Sequence, residues 1–243
     1  MIISEFSIQL YSTRREIWRE GLPSVMEKLA RIGYAGVEFA GYGDLPVDEM
    51  ASMLQKNGLK PVGAHIGLDR LEWAFDEEIA YHRTLGTTFL IIPAAPFANA
   101  EEVKQTAARL NALAPRVRES GFRFAFHNHG VEFERDGAQY RLEDMMALSP
   151  ETEIQLDVFW ASKMGCDCVE FIKKHAGRIC SLHIKQRDAA GESVDLGDGT
   201  LDFKALIQAG LETGVNCFVH EQEEFPGCAY ESLGNGFRHI MSL

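Results

Sequence analysis

Short apolar runs alternate with longer amphipathic segments along the chain, and each run carries Glu, His or Asp at or near its carboxyl end. Most runs follow a glycine by a few residues: 37–39 after Gly33, 62–65 after Gly58, 124–127 after Gly121, 180–183 after Gly177 and 217–221 after Gly214. Another run, 154–157, ends in the same way without the glycine. Glycine is favoured where a helix ends, and strands buried on both faces of a parallel sheet are apolar throughout. The pattern therefore predicts helix followed by strand, repeated, with the ionisable residues gathered on one rim.

Eight strands can be placed, with helical patterns between them. The predicted strands are 5–11, 35–39, 60–66, 88–92, 122–127, 153–157, 179–184 and 216–221. Asn99, Asp167 and Asp202 stand where helix N-caps are expected, and Pro115 should kink or split a helix at 99–120. We expect a single (β/α)8 TIM barrel over residues 1–243. A doubly wound sheet would usually have a glycine-rich loop after its first strand, but here 9–13 has no glycine.

Length and composition narrow the class of protein. The 243 residues are close to the roughly 250 of a typical barrel, and no linker composition divides them. The formal net charge of −12 and the absence of a long basic stripe argue against nucleic acid as a partner. We also expect no membrane span and no secretory signal. The 5 cysteines lack zinc-type spacing, which favours reduced thiols and a cytoplasmic location; a homo-oligomer is compatible with the sequence.

Three ionisable residues end successive predicted strands. Asp157, His183 and Glu221 should lie on neighbouring strands with their side chains in the barrel mouth, close enough to share one divalent ion. Carboxylates with one imidazole suit Mn²⁺, Mg²⁺ or Co²⁺. A lone residue of these types at a strand end is usually just solvated, but three at corresponding positions favour a site.

The segment after the fifth predicted strand is rich in candidate chemistry. Alternation would place His127 and His129 on one side and Asn128 on the other, and Gly130 would allow a turn that brings Glu132 over the mouth. Either histidine alone could be a buried core residue. Two histidines and a glutamate this close together favour a site.

At these residues the chain resembles the sugar phosphate isomerase/epimerase group of the xylose isomerase-like TIM barrels. The resemblance covers essentially the whole chain, and its motifs are poorly specific for substrate. They are 8–11 on the first strand, 36–39 on the second, His65 on the third, 127–133, 156–160, 183–185, 197–199 and 221–222.

The resemblance implies one divalent metal ion, for which we expect Mn²⁺ with Mg²⁺ or Co²⁺ as alternatives, bound by four side chains at the mouth. Asp157, His183 and Glu221 match three of them. The fourth, a glutamate at the end of strand five in the epimerase branch, is replaced by His127, so the fourth ligand is either His127 or Glu132. A second departure is Trp160, which stands where that branch has a histidine and could form an apolar wall for a sugar ring.

The resulting function is a metal-dependent isomerase or epimerase of a sugar or keto-sugar, phosphorylated or not. A base would remove the proton next to a metal-chelated carbonyl, giving an enediolate. His127, His129, Glu221 and Glu132 are the candidate bases. Substrate contacts are expected from Glu38, His65, Trp160, Lys185 and Arg187.

Three other functions are alternatives to this one. A lyase would share the first step and then expel a β-substituent from a keto-sugar, an inosose or a 3-keto-glycoside. An enzyme resembling AP endonucleases would need further histidine ligands and a basic face for DNA, which the net charge disfavours. A non-catalytic sugar-binding barrel would lack both metal and activity.

Overall fold

A closed barrel of parallel strands forms the centre of the computed structural model, which describes residues 2–43 and 45–243. Neighbouring strands follow the order β1-β10-β7-β6-β5-β4-β3-β2, so the predicted (β/α)8 barrel is confirmed. Its strands are β1 (Ser7–Gln9), β2 (Gly36–Ala40), β3 (Lys60–His65), β4 (Phe89–Ile92), β5 (Arg123–His127), β6 (Glu153–Asp157), β7 (Ile179–Ile184) and β10 (Cys217–His220). A small antiparallel hairpin, β8 (Gln186–Arg187) with β9 (Ser193–Val194), follows β7.

Helices connect the strands and cover the outside of the barrel. They are α1 (Arg14–Glu20), α2 (Leu22–Ile32), α3 (Val47–Asn57), α4 (Leu68–Trp73), α5 (Phe75–Leu85), α6 (Ala100–Glu119), α7 (Arg141–Leu148), α8 (Val158–Lys163), α9 (Cys168–Lys174), α10 (Phe203–Glu212) and α11 (Ala229–Met241). The side chains of Asn99, Asp167 and Asp202 each accept a backbone N–H in the first turn of the helix that follows, as predicted. None of the helices in residues 2–43 and 45–243 is long and apolar enough to cross a membrane.

Two local predictions need correction. The first strand is shorter than 5–11, because the Gln9 side chain accepts the N–H of Tyr11 and the chain turns into a 3-10 helix at Leu10–Thr13. Helix α6 is not split at Pro115 and runs from Ala100 to Glu119, whereas the predicted alternative, a kink at the proline, stays a prediction. Its buried face, which includes Leu110 and Val117 on either side of the proline, packs into one core and holds both halves together.

The glycines that precede the strands have the backbone conformation that the pattern predicted. Gly58, for example, ends α3 at φ 65°, a left-handed conformation that other residues rarely adopt, and its N–H donates to Gln55 and Leu54. The others, Gly33, Gly121, Gly177 and Gly214, also have positive φ. The alternation of helix and strand was therefore visible in the sequence wherever a glycine with positive φ separates a helix from the next strand.

The barrel interior has an apolar layer below and a polar layer above. Alternate residues of β4 face opposite ways: Leu90 and Ile92 join the core shared with the helices, whereas Phe89 and Ile91 join a separate cluster that faces the lumen. Ala125 of β5 belongs to the same inner cluster. Towards the carboxyl ends of the strands the inward side chains become polar and ionisable, which is where the candidate site lies.

Gly36 is required by close packing at the start of β2. A Cβ atom there would stand 2.6 Å from the carbonyl oxygen of Lys60 and 2.9 Å from a methyl of Val62. We therefore predict that Gly36→Ala lowers the free energy of unfolding by about 1–3 kcal/mol, as measured by urea denaturation. Gly137→Ala is the matched control, because a Cβ at Gly137 would meet nothing within 4 Å. Equal stability of the two variants would contradict this account.

Candidate metal centre

Three neighbouring strands bring their terminal side chains together at the barrel mouth. Asp157 of β6 is in register with His183 of β7. Glu221 directly follows β10, and its N–H donates to the carbonyl of Ile184 at 3.2 Å. Together with His127 at the end of β5, these residues offer ligand atoms that all lie within 4.8 Å of one another, and all four are buried. The strand-end residues singled out from the sequence are thus close enough to share one ion.

Asp157 has a buried oxygen that needs a partner. Its Oδ1 accepts the N–H of Trp160 at 3.0 Å, but its Oδ2 is buried and has no hydrogen-bond partner among the described residues. Burial raises the pKa of this carboxyl to about 6, against the opposing attraction of Lys185. A buried carboxylate oxygen without a partner costs free energy, which a bound cation would recover. This oxygen and the mixed carboxylate and imidazole donors fit a divalent metal ion.

His183 is held between two carboxylates. Its Nδ1 lies 2.5 Å from Oε2 of Glu221, and its Nε2 lies 2.7 Å from Oε1 of Glu38. Burial alone would lower the pKa of His183, but Glu38 and Glu221 outweigh it and raise this pKa to about 10. Without metal, the imidazolium therefore supplies the positive charge that the carboxylates require. His183 would offer Nδ1 to a divalent ion after loss of the Nδ1 proton, while its Nε2–H would still donate to Glu38.

Gln155 fixes the orientation of His127. Its Nε2 donates to Oε2 of Glu38 at 2.7 Å, and because a carboxylate only accepts, the amide must face that way. Its Oε1 therefore points to the histidines and accepts from Nδ1 of His127 at 3.1 Å and from Nε2 of His65 at 2.7 Å. This leaves Nε2 of His127 without a proton. Burial, with repulsion from His183, lowers the pKa of His127 well below its usual value, so the ring is neutral and its Nε2 could accept a metal ion.

Glu132 does not reach the metal centre. Gly130 has φ −76°, and the chain continues into a 3-10 helix at Val131–Phe133 rather than folding over the mouth. The Glu132 carboxylate turns back and accepts the N–H of His129 at 2.8 Å, and burial raises its pKa to about 7. The geometry therefore places His127, and not Glu132, beside Asp157, His183 and Glu221.

Asn128 lies on the opposite side of the chain from its two histidine neighbours. It is fully buried, its Oδ1 accepts the N–H of Asp157 at 2.9 Å, and its Nδ2 donates to the carbonyl of the same residue at 3.3 Å. Asn128 thus joins the ends of β5 and β6. His127 and His129 face the cavity, as alternation along the strand predicted.

A cavity of about 520 Å³ opens over this group. Its wall is formed by Tyr11, Ala40, Gly41, His65, Pro93, His127, His129, Trp160, Glu221 and Glu223. His65 and Trp160 were predicted substrate contacts, and both line it. The rings of His129 and Trp160 lie 5.8 Å apart, and burial lowers the pKa of His129. The cavity therefore has an aromatic wall with a neutral imidazole beside it.

The other predicted substrate contacts lie outside this wall. Glu38 is fully buried two residues before Ala40 on β2, one layer below the cavity, and there it contacts His183. Lys185 is 1% exposed, because its ammonium is paired with Glu223 at 2.5 Å. Arg187 lies on β8, and its Nε donates to the Ser162 hydroxyl at 2.9 Å. The structure places these three residues outside the cavity wall, and their contact with a substrate stays a prediction.

The sequence reasoning missed the polar layer beneath the site. Gln155 and Ser181 lie two residues before Asp157 and His183, and Gln9 donates to Oε1 of Glu38 at 2.8 Å. Spacing of two along a strand would have placed Gln155 and Ser181 on the same inward face. Nothing in the sequence, however, indicated which buried polar residues would meet across the barrel.

A family model described as Xylose isomerase-like TIM barrel matches residues 26–234, so the chain belongs to this family. No curated protein matches the chain significantly.

Solved structures similar to the chain carry related descriptions. A sugar phosphate isomerase/epimerase from Parabacteroides distasonis ATCC 8503 is 22% identical, with a TM-score of 0.85 and coverage of 98% of each chain. The "probable 3-DHS dehydratase AsbF" of Bacillus anthracis is 13% identical, with a TM-score of 0.78 and coverage of 98% of this chain and 99% of that chain. The IOLI protein, described with a binding zinc atom, is 18% identical, with a TM-score of 0.76 and coverage of 98% and 96%. At these identities the likeness establishes the fold.

The ligand set can be tested by metal content. We predict that purified protein, dialysed against Mn²⁺, retains about one ion per chain, and that His127→Gln, Asp157→Ala and His183→Ala each lose it because each removes a ligand. Glu132→Gln should retain the ion, since its carboxylate bonds the His129 backbone instead. Elemental analysis is the measurement. If His127→Gln retained the metal and Glu132→Gln lost it, the fourth ligand would be Glu132 and not His127.

Glu38 should act on the metal through His183. We predict that Glu38→Gln weakens Mn²⁺ binding by roughly 10–100-fold, because His183 loses the carboxylate that orients its ring. Isothermal titration with Mn²⁺ would measure it. Glu78→Gln is the control, since Glu78 is an equally buried glutamate that bonds Tyr42 and Arg70 rather than the site. An unchanged dissociation constant in Glu38→Gln would contradict the role.

Proposed function

We propose that the protein is a metal-dependent isomerase or epimerase of a sugar or keto-sugar. The observation that carries this proposal is the set of four buried donors, His127, Asp157, His183 and Glu221, at the floor of a cavity with an aromatic wall. Membership of the xylose isomerase-like family and the likeness to a structure described as a sugar phosphate isomerase/epimerase support it. Mn²⁺ is the proposed ion, with Co²⁺ as the nearer alternative and Mg²⁺ less suited to two imidazole donors.

When bound, the ion would polarise a substrate carbonyl and favour loss of the neighbouring proton. His129 is the proposed base: it lies in the cavity wall, outside the ligand set, and burial keeps its imidazole neutral and able to accept a proton. Trp160 would pack against the sugar ring and limit the access of water to the reacting carbon. A proton delivered to the opposite face by a second donor, of which solvent water is the simplest, inverts the centre, whereas transfer of the proton from His129 to the adjacent carbon moves the carbonyl.

Elimination remains the alternative, because the likeness also extends to a structure described as a dehydratase. It would start with the same proton removal and then break the bond to a β-substituent. Isomerisation leaves the mass of the sugar unchanged apart from any label, whereas elimination lowers it by the mass of the leaving group. Mass analysis of the product therefore separates the two.

We also retain two predictions from the sequence. The five cysteines are free in the structure, which supports a reducing compartment such as the cytoplasm.

Nucleic acid is not a proposed partner, since the cavity mouth carries Glu221 and Glu223 and the chain has a formal net charge of −12.

Solvent exchange tests the proposed function. We predict that the Mn²⁺-loaded protein, incubated in deuterated water with a panel of keto-sugars, incorporates deuterium next to the carbonyl of at least one of them, as detected by NMR. His129→Gln should lose exchange while it retains metal, and His239→Gln, a change outside the cavity wall, should not. Metal-loaded protein that labels no sugar would overturn the proposal.

The pH dependence identifies the base. A base must be deprotonated to act, so exchange should fall as the pH falls through its pKa. For His129 the fall should lie below pH 6.5, because burial lowers its pKa from that value. For Glu132 the fall would instead be centred near pH 7. A profile of exchange rate against pH, with metal content checked at each point, distinguishes them.

A further inference from the structure

A second cavity, of about 640 Å³, opens beside the metal centre. It is formed by the segments after β2 and β3 and by α5, and it shares Gly41 and His65 with the wall of the first cavity. The two cavities therefore adjoin at these two residues. Each cavity alone falls within the 300–1,000 Å³ that is usual for small-molecule sites.

The second cavity has a rigid aromatic wall. The rings of Tyr42 and Tyr81 are stacked, with centroids 4.1 Å apart and planes within 16°. The Tyr42 hydroxyl donates to Glu78 at 2.6 Å, and the Tyr81 hydroxyl donates to the carbonyl of Leu45 at 3.2 Å. Because both hydroxyls are bonded within the protein, the rings are fixed before any ligand arrives. Aromatic faces of this kind bind flat or ring-shaped apolar surfaces.

The charges of this wall disfavour an anionic ligand. Arg70 lines the cavity, but its Nε donates to Glu78 at 2.6 Å and its Nη2 lies 3.0 Å from Glu77. Among the described residues of this wall, two carboxylates therefore face one guanidinium, which leaves no net positive charge for a phosphate. The described residues of the neighbouring cavity wall offer no free cation either, because Lys185 is already paired with Glu223.

We propose that the second cavity binds a second ring, joined by a glycosidic bond to the sugar that occupies the metal centre. The substrate class is then a neutral keto-glycoside rather than a sugar phosphate, because the chemistry at the metal centre needs a ketone on a carbon of the first ring outside the glycosidic acetal. Simple glycosides lack that ketone and serve only as binding probes. This inference rests on the proposed function, because it takes the first ring to be the sugar acted on at the metal. The second ring is either another sugar or an aromatic aglycone, and both stack on tyrosine faces.

Binding of matched glycosides tests the inference. With Mn²⁺-loaded protein, dissociation constants would be measured by calorimetry for methyl glycosides of several common hexoses, for the phenyl glycosides of the same sugars and for disaccharides that begin with them. We expect at least one phenyl glycoside or disaccharide to bind about tenfold more tightly than its methyl partner, from stacking on the tyrosines. The series that shows the gain identifies the second ring.

Gly67 allows the second cavity to be filled. It lines this cavity, its φ of −57° suits any residue, and a Cβ there would meet nothing within 4 Å. In Gly67→Trp the ratio of methyl to phenyl or disaccharide dissociation constants should fall to about one. Gly67→Ala should keep the ratio, and so should Gly137→Trp, which puts the same bulk where there is also open space. Tyr81→Leu, which removes the stacking face without filling the cavity, should lower the ratio as well.

Several results would overturn the inference. In the wild-type protein, the ratio of methyl to phenyl or disaccharide dissociation constants could lie within about twofold of one for every sugar, or it could be unchanged in both Gly67→Trp and Tyr81→Leu. The protein could also bind no glycoside measurably, or bind a sugar phosphate more tightly than any glycoside. Each of these results contradicts a second ring in the second cavity. Failure of the proposed function is a separate result, since a normal glycoside ratio without deuterium exchange would leave the second cavity intact and remove the metal chemistry.

Discussion

The contact between Glu38 and His183 is the interaction on which the rest of the site depends. Glu38 is fully buried beneath the barrel mouth, and burial alone would raise its pKa, but His183 and His65 outweigh this and lower it. A carboxylate in this position can stay ionised only while cationic or hydrogen-bond donors surround it. Gln9, Gln155 and His183 supply them. Glu38, which lies beneath the barrel mouth, therefore fixes the orientation of the His183 ring at the candidate metal centre.

The same carboxylate determines the protonation of the other histidines. Because Gln155 must donate to Glu38, its carbonyl oxygen faces His127, and His127 then carries its proton on Nδ1. A single buried charge thus leads, through one amide, to an unprotonated Nε2 of His127 within the group of four residues that could hold a metal ion. Burial of these polar groups costs desolvation free energy, which is recovered only when every member of the network is hydrogen-bonded. The network therefore favours one arrangement of the site more than it adds to the stability of the fold.

The sequence predicted the barrel and the strand-end residues because both follow from local rules. Glycine at helix ends and apolar runs ending in ionisable residues place Asp157, His183 and Glu221 on one rim without knowledge of any contact across the barrel. The position of Glu132 could not be predicted in this way, because it depends on whether its carboxylate finds a backbone N–H, here that of His129, before it finds the metal centre. The depth of Glu38 below the barrel mouth could not be predicted either, because it depends on which residue of β2 faces the cavity.

This chain has His127 where the resemblance implies a glutamate, and the difference changes the net charge of the four candidate ligands. His127, Asp157, His183 and Glu221 carry two negative charges when both imidazoles are neutral, and a divalent ion brings the set to zero. A third carboxylate in place of His127 would leave it negative. Since loss of a proton next to a carbonyl builds negative charge on the substrate, a neutral set opposes that charge less. The pairing of Lys185 with Glu223 keeps a cation close to the same group without adding net charge at the mouth. A neutral substrate suits this balance, because a phosphate would bring into the mouth a charge that no described side chain of the cavity wall is free to neutralise.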